Sequence, residues 1–247
     1  LKNDIPVADV REVGAFMSMT SGEGGWRVVI VDSADDMNRN AANALLKVLE
    51  EPPPRALLML ISHNPGRLLP TIRSRCRKLA LRPLAPELIA AELGTAVPDT
   101  DRDRLGRLAD GSLGRALDLA ADSGLEIHSQ LIELLASLPR LDGRALTAFC
   151  DRFSRVGTER AFDLLGELLL GLVNRIARSA AGAATAGVDE AESRLIAGLS
   201  ARAPAETWLT YWEGVTHLLD RTRAVNLDRR HVLMTLMTRL ARAAGAP

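Results

Sequence analysis

Apolar positions along the chain follow two regimes. Between residues 26 and 81, short aliphatic runs alternate with helical spacing, and beyond residue 82 helical spacing alone continues. "WRVVIV" (26–31) is an unbroken β-branched run of the kind a parallel strand covered on both faces carries. Polar "DSADDMNRN" follows, and then "AANALLKVLEE", where Ala42, Leu45, Leu46 and Leu49 recur at helical spacing. Asn38 or Asn40 stands where a helix cap is needed, and the prolines at 52–54 stop the helix. A second strand is expected over 56–62, a turn at Asn64-Pro65-Gly66, a short helix over "RLLPTIRS" (67–74) and a third strand over "RKLAL" (77–81). Such alternation predicts an α/β parallel sheet. The stretch before it, 1–17, reads as the interior of a domain and opens on Leu1 rather than Met, so an N-terminal segment is expected upstream.

From Arg82 onward no strand pattern appears. "PLAPELIAAELG", "DRDRLGRLAD" and "SLGRALDLA" predict three short helices, with a boundary near residue 123. Longer helices follow over 157–181 and 205–226, joined through an Ala/Gly-rich connection at 180–187, as in a separate helical bundle.

With 247 residues, 47% of them apolar, the chain can bury a sizeable core. A formal net charge of zero argues against a small, strongly basic nucleic-acid binder, although a local basic face remains compatible with it. Two cysteines and four histidines make neither a disulfide framework nor a zinc pattern of recognisable spacing, which fits a reducing, cytoplasmic setting. No apolar run reaches membrane-spanning length.

Candidate chemistry begins at Asp32, at the carboxyl end of the first predicted strand, the edge where parallel sheets bind ligands. It has the position of a magnesium-organising carboxylate, with helix capping or solvation as the plainer role. Ser33 follows it and cannot orient an attacking water, and Asp35 and Asp36 are expected to cap the next helix. A phosphate loop needs a lysine preceded by glycine, but Lys2, Lys47 and Lys78 follow Leu1, Leu46 and Arg77. Further on, Arg73, Arg75, Arg77 and Lys78 crowd one predicted helix end. A cation there gains at most about 1 kcal/mol from the helix dipole, so the dipole accounts for one or two of them. The rest repel one another unless an anion answers. Glu50 and Glu51 close their helix against its dipole and call for a cation from a partner or a loop, or for plain solvation. Trp208, Tyr211 and Trp212 fall on helical spacing, as core packing or as a subunit contact. His128, His217 and His231 have no partners at metal-ligand or triad spacing and read as structural.

"VVIVDSADDMNRNAANALLKVLEEPP", "LMLISHNPGRLLPTIRSRC" and "GSLGRALDL" together resemble the AAA+ subunits of bacterial DNA polymerase III clamp loaders, with "NALLKVLEEPP" followed by "SRC" the most specific part. The resemblance implies the C-terminal part of an α/β parallel-sheet AAA+ module at 1–82, an all-α three-helix lid at 83–123, and an all-α helical collar for oligomerisation at 124–247. It implies that Arg75 is an arginine finger acting in trans on ATP held, with magnesium, by a neighbouring subunit. Asp32 and His63 then occupy degenerate nucleotide-site positions, and Lys47 and Arg73 are candidates for DNA phosphate contact. Ser33 in place of Glu, His63 in place of a small polar sensor and Gly114 at the arginine position of "GSLR" point to a non-hydrolysing member. No cofactor is expected within the chain, and a zinc module only in a segment upstream of Leu1. Implied partners are gamma/tau and delta subunits, and, through the assembly, the sliding clamp and primed DNA, with no membrane. Two other readings stay open: an active AAA+ ATPase whose phosphate loop lies upstream, and a nucleic-acid-binding module that uses the basic stretch alone.

Overall fold

The computed structural model describes residues 5–19 and 24–245, and its first predicted strand is β1 (Arg27–Val31). It pairs in parallel with β2 (Ala56–Leu60), Arg27 opposite Ala56 and Val31 opposite Leu60. The period of two along both strands sends Val29, Val31, Leu58 and Leu60 to one face. Helices α1 (Val7–Ser18) and α2 (Arg39–Glu50) cover that face, where Val10, Ala41 and Leu45 form a small core with Leu58 and Leu60 packed on it. Asn38 is the cap of α2: its side-chain oxygen accepts the Ala41 N–H at 2.9 Å. The other face carries Val28, Ile30, Leu57, Met59 and Ile61, all exposed.

A single turn of helix, α3 (Pro70–Arg73), follows β2, with Pro70 at its first position and Ile72 fully buried beneath it. The strand expected at 77–81 does not form. Among the described residues β1 and β2 pair only with each other, and residues 77–81 run irregularly with Leu79 and Leu81 exposed. An aliphatic run becomes a strand only where a sheet edge receives its backbone, so alternation alone overstated this one. Lys2, like residues 20–23 and 246–247, lies outside the described residues.

Residues 1–81 and 82–247 are two compact units. The second is all helix. Three short helices, α4 (Pro86–Leu93), α5 (Asp99–Leu108) and α6 (Leu113–Ala121), match the predicted trio. Gly111 closes the turn before α6 at φ 86°, and a Cβ there would sit 2.2 Å from Pro83 Cβ, so only glycine fits. Six further helices follow: α7 (Gly124–Leu135), α8 (Gly143–Phe153), α9 (Glu159–Ala180), α10 (Glu190–Ser200), α11 (Ala205–Val225) and α12 (Arg229–Ala243). Asp142, Asp189 and Asp228 cap α8, α10 and α12 through their carboxylates.

One apolar core runs through this unit from Ile89 to Ala244, filled most densely by α9, whose Leu165, Leu168, Leu169, Leu172, Val173 and Ile176 are buried. Trp208 is fully buried and donates its indole N–H to the Ala203 carbonyl, and the Tyr211 hydroxyl donates to the Leu236 carbonyl at 3.0 Å. Both are core residues, and burial pushes the Tyr211 phenol well up from its ordinary value. Trp212 is half-buried and packs against the same core. Cys150 is buried too, its thiol pushed up to about 11 by that burial. Cys76 in the first unit is half-buried and likewise raised by burial. No described helix is long and apolar enough to cross a membrane.

Candidate functional site

Two loops meet at the carboxyl ends of β1 and β2. The Ile61 N–H donates to the Val31 carbonyl at 3.0 Å, and the Ala34 N–H returns to the Ile61 carbonyl at 2.8 Å, so the loop after one strand is tied to the loop after the other. Asp35 completes the tie. Its Oδ1 accepts from Ser62 Oγ at 2.8 Å, while Oδ2 accepts from the His63 N–H at 2.6 Å, the Asn64 N–H at 3.2 Å and Ser33 Oγ at 3.1 Å. Burial pushes this carboxyl up, but the donors from Ser62, His63, Asn64 and Ser33 outweigh it and hold it below its ordinary value of 3.8.

One expectation changes here. Asp35 was expected to cap the next helix, and instead it clamps the loop after β2, because Asn38 already fills the cap. Ser33 shares that work by donating to Asp35, a role an acidic residue at 33 could not fill beside another carboxylate. Asp32 and His63 lie on these two tied loops with exposed side chains, and His63 contributes its backbone N–H to the clamp.

The basic cluster lies on α3 and the chain just past it. Arg75 is fixed at two points: Nη2 lies 2.6 Å from Glu50 Oε1, at the end of α2, and Nη1 donates to the Thr71 carbonyl at 2.9 Å. Glu50, whose position opposes its own helix dipole, is thus answered from within the unit. Side-chain exposures of 34% for Arg75 and 50% for Glu50 make this a solvent-facing pair, worth about 0–1 kcal/mol. Arg73 donates to the Pro65 carbonyl at 3.3 Å. Arg67, Arg77 and Lys78 are exposed and form no ion pair among the described residues. Lys47 is exposed on α2, one turn before Glu50.

Sequence reasoning passed over Arg39. It opens α2, where a cation opposes the dipole, and that misplacement was the available signal. With Arg67 it borders a cleft of about 320 Å³ that also takes in Asp35, Leu69 and Ile72. In the helical unit, Gly114 is exposed, a Cβ there would meet only Ser112 Oγ at 3.9 Å, and the adjacent Arg115 pairs with Asp110 at 3.4 Å. Arg115 is thus engaged by a carboxylate of its own unit. Among the described residues no group of three or more His, Cys, Asp or Glu side chains could hold a metal ion.

Residues 2–85, which contain the clamp, the cleft and the arginine cluster, match the family described as DNA polymerase III, delta subunit. Within that class the chain is delta-prime-like. It is 36% identical over 172 residues to the DNA polymerase III subunit delta' of Pseudomonas aeruginosa, covering 68% of this chain and 52% of that protein. The Escherichia coli delta' subunit is 38% identical over 150 residues, covering 60% of this chain and 45% of that protein. Similarity extends at 29% identity over 213 residues to the E. coli DNA polymerase III subunit tau, covering 76% of this chain and 33% of that protein. The chain spans about half the length of the delta' relatives it matches.

Proposed function

We propose that the chain is a non-hydrolysing, delta-prime-like subunit of a bacterial clamp loader, helping place a sliding clamp on primed DNA. In this reading Arg75 acts in trans on ATP bound by a neighbouring gamma/tau-type subunit. The observation that carries it is the state of Arg75: a guanidinium held at the surface by one solvent-facing carboxylate and one carbonyl. A phosphate oxygen replaces such a carboxylate at little cost, and a planar cation that never deprotonates stabilises charge on a transferring phosphoryl group.

The chain's own nucleotide edge supports the non-hydrolysing half of the reading. Ser33 is committed to Asp35, and the Asp35 carboxylate is committed to four donors, so neither is free to orient water. Asp32 and His63 remain as degenerate positions of a nucleotide site. Residues 83–123 then serve as a lid and 124–247 as a collar that joins the chain to the other subunits. DNA phosphate contact falls to the exposed cations Lys47 and Arg73, and to Arg39 and Arg67 at the cleft. The protein works in the cytoplasm, where replication takes place.

Similarity to tau favours a second reading, an active ATPase of the same assembly. Nucleotide turnover separates the two. The full-length protein, purified alone, is expected to hydrolyse no ATP above background, yet to co-purify with gamma/tau and delta subunits and support clamp loading. Turnover by the isolated protein gives the second reading, and failure to assemble removes both.

A further inference from the structure

In residues 82–247 buried charge converges on one place, the first turn of α10. Glu192 is fully buried there. Its Oε1 accepts from Arg175 Nε of α9 at 2.7 Å, and its Oε2 accepts the Val188 N–H at 2.8 Å. Nε2 of His128 on α7, also fully buried, lies 3.3 Å from the same Oε2. Next to it, Asp189 accepts the Glu192 N–H with one oxygen and meets Arg104 of α5 at 3.2 Å with the other. Arg104 also donates to Ser129 of α7, and Arg107 of α5 donates to the Val188 carbonyl at 3.4 Å. Arg175 reaches Asp110, between α5 and α6, at 4.0 Å, and Asp110 pairs with Arg115 of α6.

Three carboxylates and three guanidinium groups thus bind the short helices α5 and α6 to α7, α9 and α10. Buried ion pairs seldom add stability over well-packed apolar side chains, so adhesion is not what this arrangement supplies. The continuous core from Ile89 to Ala244 already supplies it. Apolar surfaces slide past one another at modest cost, whereas a buried carboxylate held at both oxygens, Oε1 by Arg175 and Oε2 by the Val188 N–H, permits one register.

We propose that the first turn of α10 is a lock that makes the short helices 83–121 and the long-helix bundle one mechanical body. A swing of α5 and α6 against α9 and α10 then has to break Arg104–Asp189 and Arg175–Asp110, and Glu192 sets the far end of both contacts by holding Arg175 and the start of α10 in place. The inference concerns this unit alone and stands whether or not the clamp-loader reading holds.

Hydrogen–deuterium exchange on the whole chain tests it, comparing the parent with Glu192→Gln, which removes the charge and keeps the volume. Amides of α5, α6 and the first turn of α10 are expected to accelerate together, by about tenfold more than those of α11 and α12. Acceleration confined to residues 181–200 overturns the proposal, because the short helices would then be held without the lock. Uniform acceleration through α11 and α12 also overturns it, because the pair would then serve global stability. Should Glu192→Gln fail to fold, Asp110→Asn cuts only the half-exposed branch to α6. The same joint response in α5, α6 and the first turn of α10 is then expected, and a response limited to residues 108–115 overturns the lock.

Discussion

Arg104, Arg115 and Arg175 of the helical unit each reach a carboxylate of their own unit, and Arg175 reaches one that is wholly buried. Of the cations between 67 and 78 in the α/β unit, Arg75 alone meets a carboxylate among the described residues, and that one is half exposed. The same residue type does opposite work in the two places. Where a guanidinium is enclosed, its fork specifies how helices register. Where it is crowded with other cations at a surface, the one pair Arg75–Glu50 leaves Arg67, Arg73, Arg77 and Lys78 without a carboxylate among the described residues, and their mutual repulsion stands.

The sharpest way to break this contrast is to remove Glu192. Glu192→Ala leaves Arg175 and His128 buried without their carboxylate, and a loss of about 3–5 kcal/mol in chemical denaturation is expected. A loss below about 1 kcal/mol would put this pair in the same class as the surface pair Arg75–Glu50. Acid sharpens the same point. Burial pushes the Glu192 carboxyl up, but the approach of His128, the charge of Arg175 and the Val188 N–H together hold it below its ordinary value of 4.5. As pH falls, the unfolded chain takes up this proton first. The contribution of Glu192 is therefore complete above about pH 4.5 and drains away as pH drops through the lower folded value. Denaturation midpoints followed downward from neutral pH are expected to show this loss in the parent and a shallower one in Glu192→Gln.

On the other side of the comparison, Glu50→Gln should cost at most about 1 kcal/mol, since the pair faces solvent. A larger loss in thermal unfolding would make Arg75 a structural residue. The smallest effect has the opposite sign. Gly114 sits in the first turn of α6, where a Cβ would meet only Ser112 Oγ at 3.9 Å, so Gly114→Ala should fold normally and gain about 0.5–1 kcal/mol from the loss of glycine's freedom. Destabilisation would mean that the site is not open.

Much of this architecture was legible from periodicity. β1, β2, α2 and the three short helices fall where aliphatic runs, helical spacing and proline or glycine stops put them. Helix α1 went unread although Val10, Val13 and Met17 carry its spacing, and the strand at 77–81 was read where, among the described residues, no sheet edge pairs with it. The individual residues of the site could be named from motifs, but their partners could not. Arg75 with Glu50, and Asp35 with Ser62 and His63, are joined by how two strands and a helix return to one another, which no local pattern encodes. The lock in the helical unit was illegible for the same reason. Asp110, His128, Arg175 and Glu192 are scattered across four stretches of chain, and each alone looks like an ordinary helical residue.

The most direct measurement of the central claim is clamp- and DNA-stimulated ATP hydrolysis in a reconstituted loader, comparing the parent with Arg75→Ala after assembly has been verified by gel filtration. The account predicts that turnover falls by about a thousandfold or more, to the level of an assembly without a finger at that interface. Undiminished turnover in an intact assembly would contradict it and return Arg75 to the local contact with Glu50 and the Thr71 carbonyl.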